Sequence, residues 1–241
     1  MLNQTKQGIR RAFNKAADTY DDFCHIQKTI GVELIQRLSK IGSYYQHIID
    51  LGCGSGVVTE LLALQINYQQ FHAIDFADQL LVKANKRLSH YSVDVIENDF
   101  DFIHDKKFNL AFSNMSLQWS CDLLHTLKII YENLHSNGVL AFSIPLFGTF
   151  NELNSMSVNH FYQLEEIINL LYQSQFDLLF KRTDVIQTHY DSTKSALNTI
   201  KSIGANYLVD RPINSLHGKS FLLQTNIRSL TYHVGYFIAR K

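Results

Sequence analysis

Residues 48–56 read Ile48-Ile49-Asp50-Leu51-Gly52-Cys53-Gly54-Ser55-Gly56, and Val57, Val58, Leu61, Leu62 and Leu64 follow at helical spacing. An apolar run enters an acidic residue, three glycines follow at alternate positions, and a helix opens at once. The pattern predicts a strand over 46–51, a tight turn, and a helix over 55–64. Glycine tolerates positive φ and leaves room for a ligand to touch the backbone. The helix N-terminus adds free N–H groups and the positive end of a dipole.

The same alternation continues on the carboxyl side. Strands are expected at 71–74, ending at Asp75, at 94–97, ending before Asn98-Asp99-Phe100, at 110–113 after a polar turn at 105–107, and at 139–144, closed by Pro145. Helices are expected at 78–88 and 123–134, the second stopped by Asn137-Gly138. Continuous apolar strands alternating with helices imply a doubly wound, mostly parallel sheet covered on both faces. Such sheets bind ligands outside the carboxyl ends of their strands. Asp50, Asp75, Asp99 and Asn114 all fall there.

On the amino side, residues 1–22 are polar and basic, and Ile26, Ile30, Leu34, Leu38 and Ile41 predict a helix over 24–40, stopped at Gly42-Ser43. After the fifth strand, residues 147–182 break the alternation. Phe161, Leu164, Ile167, Ile168, Leu171 and Tyr172 are helically spaced and suggest a helical insertion able to cover the site. A strand at 185–189, a helix capped by Asp191-Ser192 and stopped by Gly204, and a last strand at 232–239 complete the chain. The expectation is one domain over 1–241, with a helical cap at 1–43 and an insertion at 147–182.

The chain has 241 residues, 22 basic and 22 acidic side chains, and 46% hydrophobic residues. Zero net charge weighs against a general nucleic-acid binder. Cys24, Cys53 and Cys121 are widely spaced, so neither a metal site nor a disulfide framework is indicated. The polar amino terminus lacks a signal core, and no apolar run approaches the ~20 residues of a membrane span. A reducing, cytoplasmic setting is expected.

The spacing Gly-x-Gly-x-Gly differs from the Gly-x-Gly-x-x-Gly of dinucleotide enzymes. With Asp50 two positions upstream, it resembles motif I of class I S-adenosylmethionine (SAM) methyltransferases. That resemblance implies a Rossmann-like fold with a seven-stranded sheet. It places Asp50 at the methionine end of the ligand, with Gly52, Cys53, Gly54 and Gly56 beneath it. Asp75, nineteen residues after Gly56, would accept the ribose hydroxyls, with Phe76 beside it. Asp99 and Phe100 would meet the adenine, and Asn114 would close the site. Asn114 is not followed by the Pro-Pro of amino-methyltransferases acting on bases, which argues against that chemistry. No His–carboxylate pair stands near the motifs, which favours an acceptor that needs no base.

Four stretches together resemble the malonyl-acyl carrier protein O-methyltransferase family of biotin synthesis. They are Arg11-Ala12-Phe13-Asn14-Lys15-Ala16-Ala17-Asp18-Thr19-Tyr20-Asp21, the Asp50–Gly56 loop, Ser113-Asn114-Met115-Ser116-Leu117-Gln118-Trp119, and Ile203-Gly204-Ala205-Asn206. The first and third are more specific than the loop. The resemblance implies SAM-dependent methylation of the free carboxylate of a malonyl thioester on acyl carrier protein, or on coenzyme A. It implies that Tyr20 closes over the site, that Gln118 and Trp119 line the acceptor pocket, and that Arg211 orients the carboxylate through a bidentate contact. Arg10, Arg11, Lys15, Lys181, Arg182, Lys201 and Arg211 are candidates for docking an acidic carrier protein. No nucleic-acid or membrane partner is expected. The stretch after the fifth strand, with Phe147 and Phe150, is bulkier than the family leads one to expect, and the carboxyl-terminal part matches more weakly. Both lie on the acceptor side, so methylation of another small molecule, or SAM binding without catalysis, stays open at this point.

Overall fold

The structure is a computed structural model that describes residues 4–104, 107–153, 158–209 and 226–241. Arg211 and residues 105 and 106 of the expected polar turn lie outside the described residues. The elements run α1 (Gln4–Phe23), α2 (His25–Leu38), β1 (Tyr44–Leu51), α3 (Val57–Gln65), β2 (Asn67–Asp75), α4 (Asp78–Leu88), β3 (Val93–Glu97), β4 (Phe108–Asn114), α5 (Leu123–Asn133), β5 (Leu134–Pro145), α6 (Leu164–Gln173), β6 (Asp177–His189), α7 (Thr193–Ser202) and β7 (Ser229–Arg240). One seven-stranded sheet has the order β3-β2-β1-β4-β5-β7-β6. β1 to β5 are parallel, while β7 runs antiparallel to both β5 and β6. This is the doubly wound, mostly parallel arrangement that the alternating pattern implies.

The strands are apolar at successive positions because both faces are covered. In β1, Ile48 packs with Leu34 and Leu62 from α2 and α3, while its neighbour Ile49 packs in the cluster of Leu127 and Ile130 from α5. In β5, Leu140 and Phe142 join the α5 side, and Val139 and Ala141 the α2 side. Side chains one apart on a strand point to opposite faces, so each helical layer gets its own row. β1 and β4 are central neighbours in that order, and their carboxyl ends open the crevice in which a ligand binds.

Three local expectations change. Residues 1–22, polar in bulk, are mostly one helix. In α1, Ile9, Ala16 and Ala17 are buried, and Phe13 and Tyr20 are partly buried along the same stripe. Second, α5 ends at Asn133, and Asn137-Gly138 lies inside β5. Asn137 takes φ 64° and kinks the strand there, and the pairing slips from Phe108↔Leu134 to Leu110↔Val139. The pair is a strand irregularity, not a helix stop. Third, among the described residues of 147–182 the α-helix is Leu164–Gln173, and residues 177–182 belong to β6. β6 pairs with β7 from Asp177↔Arg240 to His189↔Ser229. That long antiparallel partner decides the conformation of a segment whose apolar spacing alone is ambiguous between helix and strand.

Candidate active site

The turn after β1 is a backbone cradle. Gly52, Gly54 and Gly56 take φ values of 80°, 57° and 79°. The N–H groups of Gly52 and Cys53 both donate to the Ile74 carbonyl, at 2.8 and 2.9 Å, tying the loop to the end of β2. Asp75 fastens it from the other side. Its Oδ2 accepts from the Gly54 N–H at 2.9 Å and its Oδ1 from the Ala77 N–H at 2.8 Å. A carboxylate oxygen can take a second donor, so each still has capacity for a ligand hydroxyl. Burial pushes the Asp75 carboxyl above its usual range, against the pull of the N–H groups of Ala77 and Gly54.

Asp50 is buried at the end of β1, and Thr59 Oγ1 of α3 donates to its Oδ2 at 2.6 Å. Burial pushes its pKa up to about 7; the Thr59 bond opposes the shift and nearby Asp75 adds to it. Two buried carboxyls at neighbouring strand ends suit a ligand that brings positive charge and hydroxyl donors. A pH dependence follows. Between about pH 4 and 7 the native state holds a proton on Asp50 that the unfolded chain has released. Ionising it therefore costs stability as pH rises through that window. The melting temperature of the wild type, measured against Asp50→Asn, is expected to fall from pH 4 to 7 and to level off above it. A constant difference across that series would remove the assigned shift.

At the end of β3, Asp99 caps the 3-10 turn Phe100–Phe102 and is buried, as is Phe100. Lys6 of α1 reaches it: Lys6 Nζ donates to Asp99 Oδ1 at 2.9 Å and stands 3.0 Å from Asp101 Oδ2. Asp99 Oδ2 is buried without a hydrogen-bond partner among the described residues. Asn114 ends β4, but its amide is spent within the fold. Its Nδ2 donates to the Gln27 carbonyl at 2.9 Å and its Oδ1 accepts from Ser143 Oγ at 2.9 Å. It ties β4, β5 and α2 together and so shapes the floor.

Above the strand ends lie two adjacent spaces. One, narrow, borders Asp50, Gly52, Cys53, Asn114 and Lys28. The other, about 510 Å³, is walled by Trp119, Phe150, Leu197 and Ile200 and also by Gln118. Tyr20 and Gln27 line both, so they form the partition between a polar pocket and an apolar chamber. Burial pushes the Tyr20 hydroxyl far above its usual pKa, so it stays protonated and can only donate or accept as a neutral group. Trp119 is buried and stands edge-on to Phe13 at 5.6 Å. Gln118 is fixed by its Nε2 donating to the Met115 carbonyl at 2.7 Å, and its Oε1 is left buried and unpartnered among the described residues. Lys201 is the one charged side chain among the described residues lining the chamber.

The residues present fit SAM on these observations. The three loop glycines hold the positive φ values that shape the cradle. The buried acceptors Asp99 Oδ2 and Gln27 Oε1 have no protein donor among the described residues, and Asp50 and Asp75 supply the carboxylates. SAM brings an ammonium, two ribose hydroxyls, an adenine amino group and a sulfonium charge.

Comparison with known proteins agrees. A protein-family model described as "Methyltransferase domain" matches residues 48–138. A malonyl-[acyl-carrier protein] O-methyltransferase 2 from Coxiella burnetii is 38% identical, over 100% of this chain and 98% of its own length. The chain belongs to the malonyl-[acyl-carrier protein] O-methyltransferase family. A second member, from Priestia megaterium, is 28% identical over 85% of this chain and 82% of its own. Among solved structures, the N-methyltransferase NodS of Bradyrhizobium japonicum, in complex with S-adenosyl-L-homocysteine (SAH), covers 99% of each chain with a TM-score of 0.58 at 16% identity. The chain is thus a SAM-dependent methyltransferase with the Rossmann-like fold of that class.

Within this methyltransferase, Asp50, Gly52 and Cys53 line the narrow space, Asp75 is bonded to the Gly54 N–H beside it, Asp99 follows β3 with Phe76 and Phe100 around the Lys6 ammonium, and Gly56 packs against Ala84 and Leu88 of α4. Tyr20, Gln118 and Trp119 meet at the apolar chamber. Two contributors escaped the motif reading: Gln27, which carries no signature, and Lys6, which looked like one more charge in a basic segment. The spacing of Lys6 with Ile9, Phe13, Ala17 and Tyr20 at three and four residues was the available signal for Lys6.

Proposed function

We propose that this enzyme methylates the free carboxylate of a malonyl thioester carried on acyl carrier protein, giving the methyl ester. The observation that carries the proposal is the apolar chamber adjacent to the cofactor pocket at Tyr20 and Gln27, in a chain related over its full length to enzymes named for that substrate. When bound, SAM supplies an electrophilic methyl group, and its sulfur leaves with the electron pair of the broken C–S bond as a neutral thioether. The rest is positioning. The acceptor carboxylate, with a pKa near 4, is already ionised, so the chain needs no general base. The chamber walls exclude water and hold the thioester arm.

Cations must orient the carboxylate. Arg211 is the candidate that the family resemblance supplies, and Lys201 lines the chamber. Gln118 Oε1, held as an acceptor, is unsuited to that role and suits an N–H of the arm instead. Of the basic residues proposed for docking the carrier, Arg10 is already paired with Asp78 and Glu97, and Arg182 with Glu33 and Asp184. Arg11, Lys15, Lys181 and Lys201 are better placed to meet an acidic partner. Asp50, Asp75, Asp99 and the glycine loop would hold the cofactor. None of the three cysteines is in a disulfide, in keeping with the proposed cytoplasmic setting, and no described helix is long and apolar enough to cross a membrane.

The test is methyl transfer from labelled SAM to malonyl-, acetyl- and succinyl-acyl carrier protein and to malonyl-coenzyme A. Label on the malonyl species and none on the acetyl one is expected. Arg211→Ala is expected to raise KM for the malonyl substrate about tenfold or more, as loss of a charge-assisted contact does, with SAH affinity unchanged. Equal labelling of acetyl carrier, or an Arg211→Ala enzyme with the parent KM, would overturn the acceptor and the residue assignment respectively.

A further inference from the structure

Lys6 is a lysine with only 1% of its surface exposed, placed by α1 against a turn 93 residues away. Its ammonium contacts Asp99 and Asp101 at 2.9 and 3.0 Å and lies 4.5 Å from the centre of the Phe100 ring and 5.3 Å from that of Phe76. Burying such a cluster is costly, and apolar side chains in the same space are often as stabilising or more so. Stability alone therefore explains its presence poorly. What the cluster does accomplish is orientation. Asp99 Oδ1 is occupied twice, by Lys6 Nζ and by the Asp101 N–H at 3.1 Å. Asp101 is held in turn by Thr126 Oγ1 at 2.6 Å and the Cys121 N–H at 3.0 Å. Asp99 Oδ2 is left buried and unpartnered among the described residues, and the ammonium that holds its other oxygen lies over two aromatic rings. A fixed carboxylate with one vacant oxygen beside aromatic faces is complementary to a planar heterocycle carrying an amino group.

We infer that Lys6 is a positioning residue for nucleobase recognition: it pins Asp99 Oδ1 so that Oδ2 faces the exocyclic amino group of the cofactor's base, and it thereby couples the seating of α1 to cofactor binding. The inference rests on the assignment of Asp99 and Phe100 to the adenine end.

The experiment is calorimetric titration of the full chain with SAH and with S-inosyl-L-homocysteine, in which a carbonyl replaces the 6-amino group. The wild type is expected to prefer SAH by about tenfold or more, the value of one hydrogen bond to a charged acceptor. Lys6→Met is expected to lose about tenfold in SAH affinity and little toward the inosyl compound, so the preference collapses. Because Lys6→Met leaves two buried carboxylates uncompensated, Lys6→Met/Asp101→Asn is measured beside it, with circular dichroism confirming the fold of each. Hydrogen exchange of the wild type supplies a readout without a variant: SAH is expected to slow exchange of the α1 amides around Lys6 to Tyr20. A folded variant that keeps the full preference, or α1 amides indifferent to SAH, overturns the role of Lys6. A wild type that binds both ligands equally overturns the adenine assignment of Asp99, and the role of Lys6 with it.

Discussion

Replacing Gly52 by alanine is expected to be among the most damaging single-atom additions to the described part of the chain. Gly52 takes φ 80°, a conformation that costs an L-residue about 1–2 kcal/mol. A Cβ there would stand 2.5 Å from Ser116 Cβ and closer still to its hydroxyl. Ser116 cannot easily yield. It is buried, its Oγ lies 2.6 Å from the Leu51 carbonyl oxygen and 2.7 Å from Ser113 Oγ, and Ser113 Oγ is itself 2.9 Å from that carbonyl, so the two hydroxyls are locked in one cluster. Overpacking of this kind adds about 1–3 kcal/mol. The sum, about 2–5 kcal/mol, corresponds to a loss of roughly 5–20 °C in melting temperature for a chain of this size. Thermal unfolding of Gly52→Ala checks it. Ser116→Gly in the same chain is expected to return the steric part and not the φ part; a double variant no better than the single would show that the serine is not the obstacle.

The second large effect concerns binding. Asp75→Ala is expected to weaken SAH by about a hundredfold or more, and Asp75→Asn by less. The carboxylate holds two loop N–H groups, from Gly54 and Ala77, and its remaining lone pairs are the ones proposed to meet the ribose. Removing it costs the ligand bonds and frees the loop that frames them. Each hydrogen bond to a charged group is worth about 1.5–3 kcal/mol, so two lost together exceed two orders of magnitude in Kd. Calorimetry with SAH reads the result, and an Asp75→Ala protein that stays folded and binds within tenfold of the wild type would end the ribose assignment.

The strand, glycine turn and strand ends proposed to hold the cofactor are legible in the sequence because they are local. Strand, glycine turn and helix occupy consecutive residues, and each acidic residue sits at a strand end that periodicity marks. The acceptor half is not. Its walls come from α1, α7 and the segment after β5, elements far apart in the chain, and no single stretch announces the chamber. Arg211 illustrates the same limit, since only family resemblance proposes it. Asn114 stands at the strand end where the pattern puts it, yet both ends of its amide serve the fold, which a strand pattern does not reveal. Asn137-Gly138 shows punctuation misread, because such a pair can bend a strand as readily as it ends a helix. Lys6 was hidden for a different reason: a charge in a basic segment reads as solvated until tertiary structure buries it.

The reach of α1 has a consequence for how the chain is made. The helix is bound by Asp78 through Arg10 and Asn14, by Asp99 through Lys6, by Ser55 and Arg87 through Asp21, and by the Ser202 carbonyl through Thr19. Its residues are made before those of its partners, and the last of these follows Thr19 by 183 residues. At about 5–20 residues per second, its apolar stripe waits about 10–40 s for that partner. A helix made before all of its partners is therefore among the last to dock, and nascent chains stalled before α7 should carry α1 exposed to proteases and chaperones while the sheet beneath it is already forming.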